Sequence, residues 1–360
     1  MLRVGIVGAG RIGAKRAHEV ARAADARLVA VADANLQRAE ALAKSYGARA
    51  SSSWETVVAA RDIDAVVVAT PHNWLAPIAG VALESHKHVL CEKPLATTAE
   101  QAAKLVTLAA RNDRKLKTGF NHRHHAAIAQ AHALAGAGQI GRLVFIRCRY
   151  GHGGRAGYEQ EWRVRPTESG GGELLDQGIH ALDLFRWFLG ELSEVTAMLG
   201  QTFWPVPVED NAFCILRTPT RQLASLHASW TQWKNVFSFE VFGEQGYLLA
   251  EGLGGSYGPE RLVLGRRPAS FGVPAEQSCE FDGEDVSWAR EWEEFASAIR
   301  EDRQPLASGY DGWQALRLAE AAYQSAQRHC AISVSEGEDH AQPAVHRGVS
   351  GWCQAGGGNH

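Results

Sequence analysis

The sequence predicts two successive architectures: a doubly wound α/β domain on a parallel sheet, then an α+β domain on a large, mostly antiparallel open sheet. Three observations carry this. Over the first 120 residues, short apolar runs alternate with segments of helical periodicity. From about residue 192 to 282 apolar and polar side chains alternate with period two. At 360 residues, the chain also exceeds the size at which a single core usually stops growing.

The elements follow in order. Val4 to Gly13, V-G-I-V-G-A-G-R-I-G, reads as a strand, a glycine turn and the start of a helix that continues to Ala24. Arg27 to Ala32 is a second strand; helices follow at 35–46 and 54–60. Asp64 to Ala69 is a β-branched run suited to a strand covered on both faces. A helix at 74–85, a strand at His88–Cys91, a helix at 98–113 and a strand at Leu116–Gly119 complete a domain spanning 1–120. This alternation implies parallel strands with right-handed crossovers.

The second domain, 121–335, opens with a helix at 125–135 and a strand at Leu143–Tyr150. A glycine-rich loop covers 151–172, and a helix runs from Glu173 to Leu189, stopped by Gly190. Leu226, Ala228 and Trp230 alternate with Ser225, His227 and Ser229. Phe237, Phe239 and Val241 alternate with Ser238 and Glu240, and Glu244-Gln-Gly246 is a turn between strands. One sheet face then buries aromatic rings while the other is wet or covered by a partner subunit. Two helices close this domain, the first with a core stripe of Trp288, Trp292, Phe295 and Ile299, the second at 311–328. Residues 336–360, polar and glycine-rich, read as a flexible tail.

Composition narrows the function. A formal net charge of −3 gives no reason to expect nucleic acid as a partner. Six dispersed cysteines without a C-x-x-C pair suit reduced thiols. A strand starting at residue 2 and the lack of a long apolar run point to a cytoplasmic protein without a membrane span.

The chemistry begins at the glycines. A turn with Gly8, Gly10 and Gly13 leading into a helix suits a dinucleotide pyrophosphate: Gly8 makes the tight turn, Gly10 lets the backbone approach, and Gly13 packs the helix on the sheet. Arg11 and Ile12 lie at that helix start. Asp33, about twenty positions on, would accept hydrogen bonds from the adenosine ribose and repel a 2′-phosphate, favouring NAD over NADP; Arg38 is the counter-indication. Cys91-Glu92-Lys93-Pro94 sits at a strand's carboxyl end, where ligands bind in such sheets, so Lys93 can hold a substrate oxygen. Asp176 and His180, four apart on a helix, share a face, and the carboxylate can orient a proton-exchanging imidazole.

Together, the glycine fingerprint, Glu92-Lys93-Pro94, Gly119-Phe-Asn-His-Arg123 and Asp176-x-Gly-x-His180 resemble the glucose-fructose oxidoreductase / inositol dehydrogenase / MocA family over roughly residues 2–335. The resemblance implies a Rossmann domain, then a domain whose open sheet carries the substrate pocket and an oligomer contact, as in a homodimer or homotetramer. It implies a catalytic set of Lys93, Asp176 and His180, with Thr70, Pro71, His72, Glu92 and Asn121 near the cofactor and Arg123 near the substrate. Thr70-Pro-His-Asn-Trp-Leu75 departs from the family's Thr-Pro-Asn-x-x-His: His72 stands at the Asn position and Leu75 at the His position. In the loop 149–165, Tyr158 and Trp162 are suited to pack on a sugar ring, and Arg163, with His152, Arg155 and Arg165, to bind hydroxyls or a phosphate. Arg123 interrupts His122-Arg-His-His125, which argues against metal.

The function expected is NAD-dependent hydride transfer from a secondary hydroxyl of a sugar, nucleotide-linked sugar or cyclitol. The alternatives are an NADP(H)-dependent keto-sugar reductase, an enzyme that recycles a tightly bound cofactor, and a non-catalytic cofactor-sensing regulator.

Overall fold

The computed structural model describes residues 1–334, so the expected tail at 336–360 lies outside the described residues. Its first half is a parallel sheet of β1 (Leu2–Val7), β2 (Ala26–Ala32), β3 (Arg49–Ser51), β4 (Ala65–Val68), β5 (His88–Glu92) and β6 (Leu116–Gly119). Helices α1 (Arg11–Arg22), α2 (Leu36–Tyr46), α3 (Glu55–Val58), α4 (His72–Glu84) and α5 (Ala99–Arg111) make the crossovers. Every residue of β4 is fully buried, as its unbroken Ala-Val-Val-Val requires. The Asn35 and Thr98 side chains cap α2 and α5 by accepting from Arg38 N and Gln101 N. Strand order is β3-β2-β1-β4-β5-β6, all parallel. The order reverses between β1 and β4, which opens a crevice at their carboxyl ends.

The chain leaves β6 through a tight turn, Asn121–His124, into α6 (Ala126–Gly136) and β7 (Leu143–Gly151). The expected glycine-rich loop contains two single turns, Tyr158–Gln160 and Trp162–Val164, and the short α7 (Pro166–Ser169). The expected helix from Glu173 divides into a wide π-type turn, Leu174–Gly178, and α8 (Ile179–Leu189); such turns concentrate at functional sites. Strands β8 (Glu194–Gly200), β9 (Asn211–Arg217), β10 (Leu223–Ser229), β11 (Val236–Gly243), β12 (Gly246–Glu251), β13 (Glu260–Arg266) and β14 (Ala275–Phe281) follow. Then come α9 (Ser287–Arg300), α10 (Gly309–Arg328) and the short β15 (Ile332–Ser333).

The second sheet runs β14-β13-β12-β11-β7-β10-β9-β8-β15 and is antiparallel except where β10 pairs with β7. The period-two pattern sorts its faces. Leu226, Ala228, Phe239 and Val241 point inward onto Leu182 and Phe185 of α8. The other face presents Met198, Phe213, Ile215 and Leu223, all more than two-fifths exposed, with the ring of His227 stacked on Phe213 at 3.9 Å.

One expectation changes. The stripe on α9 is core, but of the parallel-sheet half: Trp292, Phe295 and Ala296 pack with Val4, Ile6, Ala17 and Leu28. Helical periodicity identifies a buried stripe without saying which sheet buries it. Trp288 lies instead beneath the cations of Lys15 and Arg16. Helix α10 then spans both halves, with Glu320 accepting from Ala99 N at 2.7 Å and Ser325 Oγ accepting from Ala197 N at 2.9 Å. Phe295→Ala should therefore destabilise the parallel-sheet half by about 3–5 kcal/mol in urea unfolding followed by circular dichroism. A loss below about 1 kcal/mol would contradict the docking of α9.

Candidate active site in the domain crevice

A cleft of about 670 Å³ opens at the carboxyl ends of the parallel strands. Gly8, Gly10, Arg11, Ile12 and Asp33 line one end, with Arg38, Ser52 and Trp54 beside them. Gly8 has φ +102°, and a Cβ on Gly13 would lie 1.8 Å from Gly8 O, so both positions demand glycine. A Cβ on Gly10 would meet nothing within 4 Å; this is where a pyrophosphate can come close. No side chain caps α1, so its first N–H groups are available to an anion. The Asp33 carboxylate accepts from Ala9 N and Asn35 N, both at 2.8 Å, which fixes it beside the glycine turn.

At the other end Lys93 follows β5 and meets Asp176 from the second domain, Nζ to Oδ1 at 2.8 Å; Nζ also donates to the Asp176 carbonyl. Arg163 approaches the other carboxylate oxygen at 3.3 Å. Burial opposes the charge on Asp176, but Lys93 and then Arg163 outweigh it and hold the carboxyl well below its usual range. Thr70, Pro71, His72, Glu92, Trp162 and Arg163 line the same cleft. His72, where the family pattern has Asn, closes onto the loop: its Nδ1 lies 2.8 Å from Ser169 O and its ring stands edge-on to Trp162 at 4.7 Å.

The four-residue spacing of Asp176 and His180 does not give the expected hydrogen bond. The Asp176 oxygens go to Lys93 and Arg163, whereas His180 Nδ1 is buried without a partner. The His180 ring instead stacks on His122 at 3.8 Å, and Phe120 stands edge-on to it at 5.7 Å. Burial first, and then Lys93, push the pKa of His180 well below the ordinary value, so the imidazole is neutral and its proton affinity is lowered.

Three expected contacts lie elsewhere. Arg123 is buried in a bidentate pair with Asp183, at 2.8 and 2.5 Å, and also reaches Asp311 at 3.1 Å. Its guanidinium joins α8 to α10 and is not among the residues that line the cleft. Asn121 donates to Ser287 Oγ at 2.9 Å, pinning the start of α9 outside the cleft lining. Tyr158 is only 1% exposed and packs with Val164, Val206, Val208 and Trp230, which leaves no free ring face for a sugar. In each case the motif marks the position, but the partner that captures the side chain is distant in sequence.

Other participants carry little sequence signal. Arg16 on α1 is buried between Glu92, at 2.6 Å, and Glu291 of α9, at 2.5 Å, and so braces the strand end that carries Lys93. Glu173 is fully buried, and burial first and then Asp176 raise its pKa. Trp54 and Trp74 join the cleft lining from the segments after β3 and β4; position after a strand end was the available clue. Among the described residues, no cluster of three or more His, Cys, Asp or Glu could hold a metal, and no helix is long and apolar enough to cross a membrane.

Residues 2–120 match the model of an oxidoreductase family with an NAD-binding Rossmann fold, and residues 128–249 match a GFO/IDH/MocA C-terminal domain. The chain is 30% identical to an inositol 2-dehydrogenase of Rhizobium meliloti (strain 1021), over 93% of this chain and 99% of that protein. It is 28% identical to a 1,5-anhydro-D-fructose reductase of Ensifer adhaerens, over 94% of this chain and all of that one. A levoglucosan dehydrogenase solved in complex with NADH superposes with a TM-score of 0.85 at 25% identity, over 93% and 99% of the two chains.

The buried histidines make stability pH-dependent. Burial takes His72 down to about 3, His88 and His132 to about 4, and His122, His124 and His180 well below 6.5. Unfolded imidazoles bind protons near pH ~6.5 that the folded ones refuse, so this stability is complete above that pH and lost as pH falls toward the folded values. His122→Phe keeps an aromatic ring against His180 and removes one titration. It should flatten the fall in unfolding free energy between about pH 6 and pH 4 by up to about 1.4 kcal/mol per pH unit. An unchanged slope would contradict the buried neutral assignment.

Proposed function

The chain belongs to the GFO/IDH/MocA oxidoreductase family, and from that premise we propose that it is a cytoplasmic, NAD-dependent dehydrogenase acting on a secondary hydroxyl of a sugar, nucleotide-linked sugar or cyclitol. The observation that carries this reading is the Lys93–Asp176 pair, which draws one charged side chain from each domain into the cleft that also holds the glycine turn and Asp33. The donor set fits the dinucleotide: an uncapped helix start, an open Gly10 and a fixed carboxylate at the end of β2. Gly8, Gly10, Arg11, Ile12 and Gly13 would hold the pyrophosphate, Asp33 the adenosine ribose, and Thr70, Pro71, His72 and Glu92 the nicotinamide half. When bound, the cofactor supplies the hydride acceptor.

The protein's own groups do the rest. Lys93 donates to the reacting oxygen and stabilises the negative charge that grows on it as the C–H bond weakens. His180, neutral and with Nδ1 unpartnered, is the base that receives the hydroxyl proton, against the burial that lowers its proton affinity. Asp176 stays ionised, keeps the Lys93 ammonium aimed into the cleft, and with Arg163 and Trp162 positions the sugar. The absence of a hydrogen bond from Asp176 to His180 makes it a partner of the lysine rather than of the imidazole.

The buried thiols of Cys91, Cys148 and Cys214 suit a reducing compartment. The exposed Met198, Phe213 and Ile215 suit burial in a homodimer or homotetramer. NAD is favoured over NADP because Asp33 is held by two backbone donors and would oppose a 2′-phosphate.

Incubation with NAD and a panel of free, phosphorylated and nucleotide-linked sugars and inositols should give reduced-nicotinamide absorbance with at least one member. Lys93→Met should lower that turnover by about 10²–10³-fold or more while NAD affinity by calorimetry is unchanged. Turnover like that of the native protein would remove Lys93 from its role, and silence across the panel would overturn the dehydrogenase reading. Asp33→Ala should weaken NAD binding about tenfold or more and spare NADP; equal effects on both would contradict the selectivity.

A further inference from the structure

The loop between β7 and α7 does more than border the reacting centre. From Asp176 a continuous line of charged contacts runs outward: Arg163 at 3.3 Å, Glu161 at 3.4 Å from Arg163, and Arg155 at 2.6 Å from Glu161. Arg155 and Arg163 line the cleft together with Lys93. The two residues before Arg155 are glycines; Gly154 makes room for an aromatic ring and Gly153 lies against a neighbouring backbone. A Cβ on Gly154 would lie 2.3 Å from the Trp204 ring, and one on Gly153 would lie 3.1 Å from Trp233 Cα.

Just beyond them, two rings stand in solvent. Phe203 is 59% exposed and Trp233 64%, with centroids 4.7 Å apart in an edge-to-face pair. Neither belongs to a loose segment. The fully buried Asp210 carboxylate accepts from Thr202 N, Phe203 N and Trp204 N at 2.7–2.9 Å, and from Thr202 Oγ1 at 3.0 Å. Trp204 is tied in turn through Nε1 to Trp230 O at 3.1 Å. Trp233 itself has φ +58°, a left-handed backbone that a bulky residue rarely adopts. Such conformations persist where surrounding structure enforces them, and they gather at functional sites.

We infer that Phe203 and Trp233 form a distal subsite for a second ring of the same substrate molecule. The inference rests on the sugar-dehydrogenase reading and specifies its substrate class. The occupant follows from continuity. The backbone of Trp233 lies against Gly153, at most about 7 Å of extended chain from Arg155, and Arg155 joins the reacting centre through alternating cations and carboxylates. That line suits the hydroxyls or phosphates of a linker, and two fixed aromatic rings suit the apolar face of a ring at its end. A single ring held at the Lys93–Asp176 pair would leave both features unused. The substrate is therefore elongated, either a glycoside of two or more sugars or a nucleotide-linked sugar; both present a ring face beyond a polar linker.

Calorimetric titration of the full-length protein in the presence of NAD tests this, with glucose, myo-inositol, maltose and UDP-glucose as probes and light scattering in parallel. At least one of maltose and UDP-glucose should bind about tenfold tighter than glucose. That advantage should shrink to about threefold or less in both Phe203→Ala and Trp233→Ala, with glucose and myo-inositol affinities and the molecular mass unchanged. Maltose and UDP-glucose identify which linker is used. Maltose and UDP-glucose no tighter than glucose, or an advantage that survives both substitutions, would overturn the inference. So would a fall in mass in either variant, because the rings would then be a subunit contact. Failure of the underlying reading is a separate result, the absence of NAD reduction by the native protein with every probe.

Discussion

An ammonium at the end of a parallel strand and a carboxylate on the opposite domain meet across the crevice, and most of the surrounding structure serves to keep them there. Neither group is in bulk water: the Lys93 and Asp176 side chains are 18% and 10% exposed. Desolvating two such charges is costly unless the geometry is good and the remaining oxygens are satisfied. Arg163 meets that need at the second oxygen, and Arg16, buried between Glu92 and Glu291, braces the strand end from behind. The domains are thus joined at the place where chemistry is expected, and α9 and α10 return across the boundary to hold both halves. A lysine so placed is a fixed donor that needs little reorganisation when charge develops on a substrate oxygen.

Most of the fold was legible because it depends on periodicity. The β-branched run of β4, the glycine turn before α1 and the period-two strands β10 and β11 each declare their state within a few residues. What sequence could not declare was the partner of each element. The Trp292 and Phe295 stripe reads as core, yet nothing local assigns it to the first sheet. Strands of two or three residues, β3 and β15, are too short to show a period.

The candidate site divides in the same way. Motif order located the glycine turn, Asp33, Lys93, Asp176, Trp162 and Arg163, all of which line one cleft. Pairing was the obscure part. Arg123 is captured by Asp183 and Asp311, Tyr158 turns inward onto Trp230, and His180 stacks on His122 rather than bonding to Asp176. Each outcome turns on a residue far away in the chain, so local spacing could not reveal it. Phe203 and Trp233 belong to loops with no motif, and only the fold brings the Trp233 backbone against Gly153, two residues before Arg155.

The central claim is that Lys93 and Asp176 act as one unit. A double-mutant cycle with Lys93→Met, Asp176→Asn and the combined variant, read as kcat/KM on the best substrate of the native enzyme, tests it most directly. If the pair is one device, the combined variant should be little worse than the more damaged single variant, with a coupling of about 1.5 kcal/mol or more. Losses that simply add would mean that the two side chains work independently, and would contradict the account.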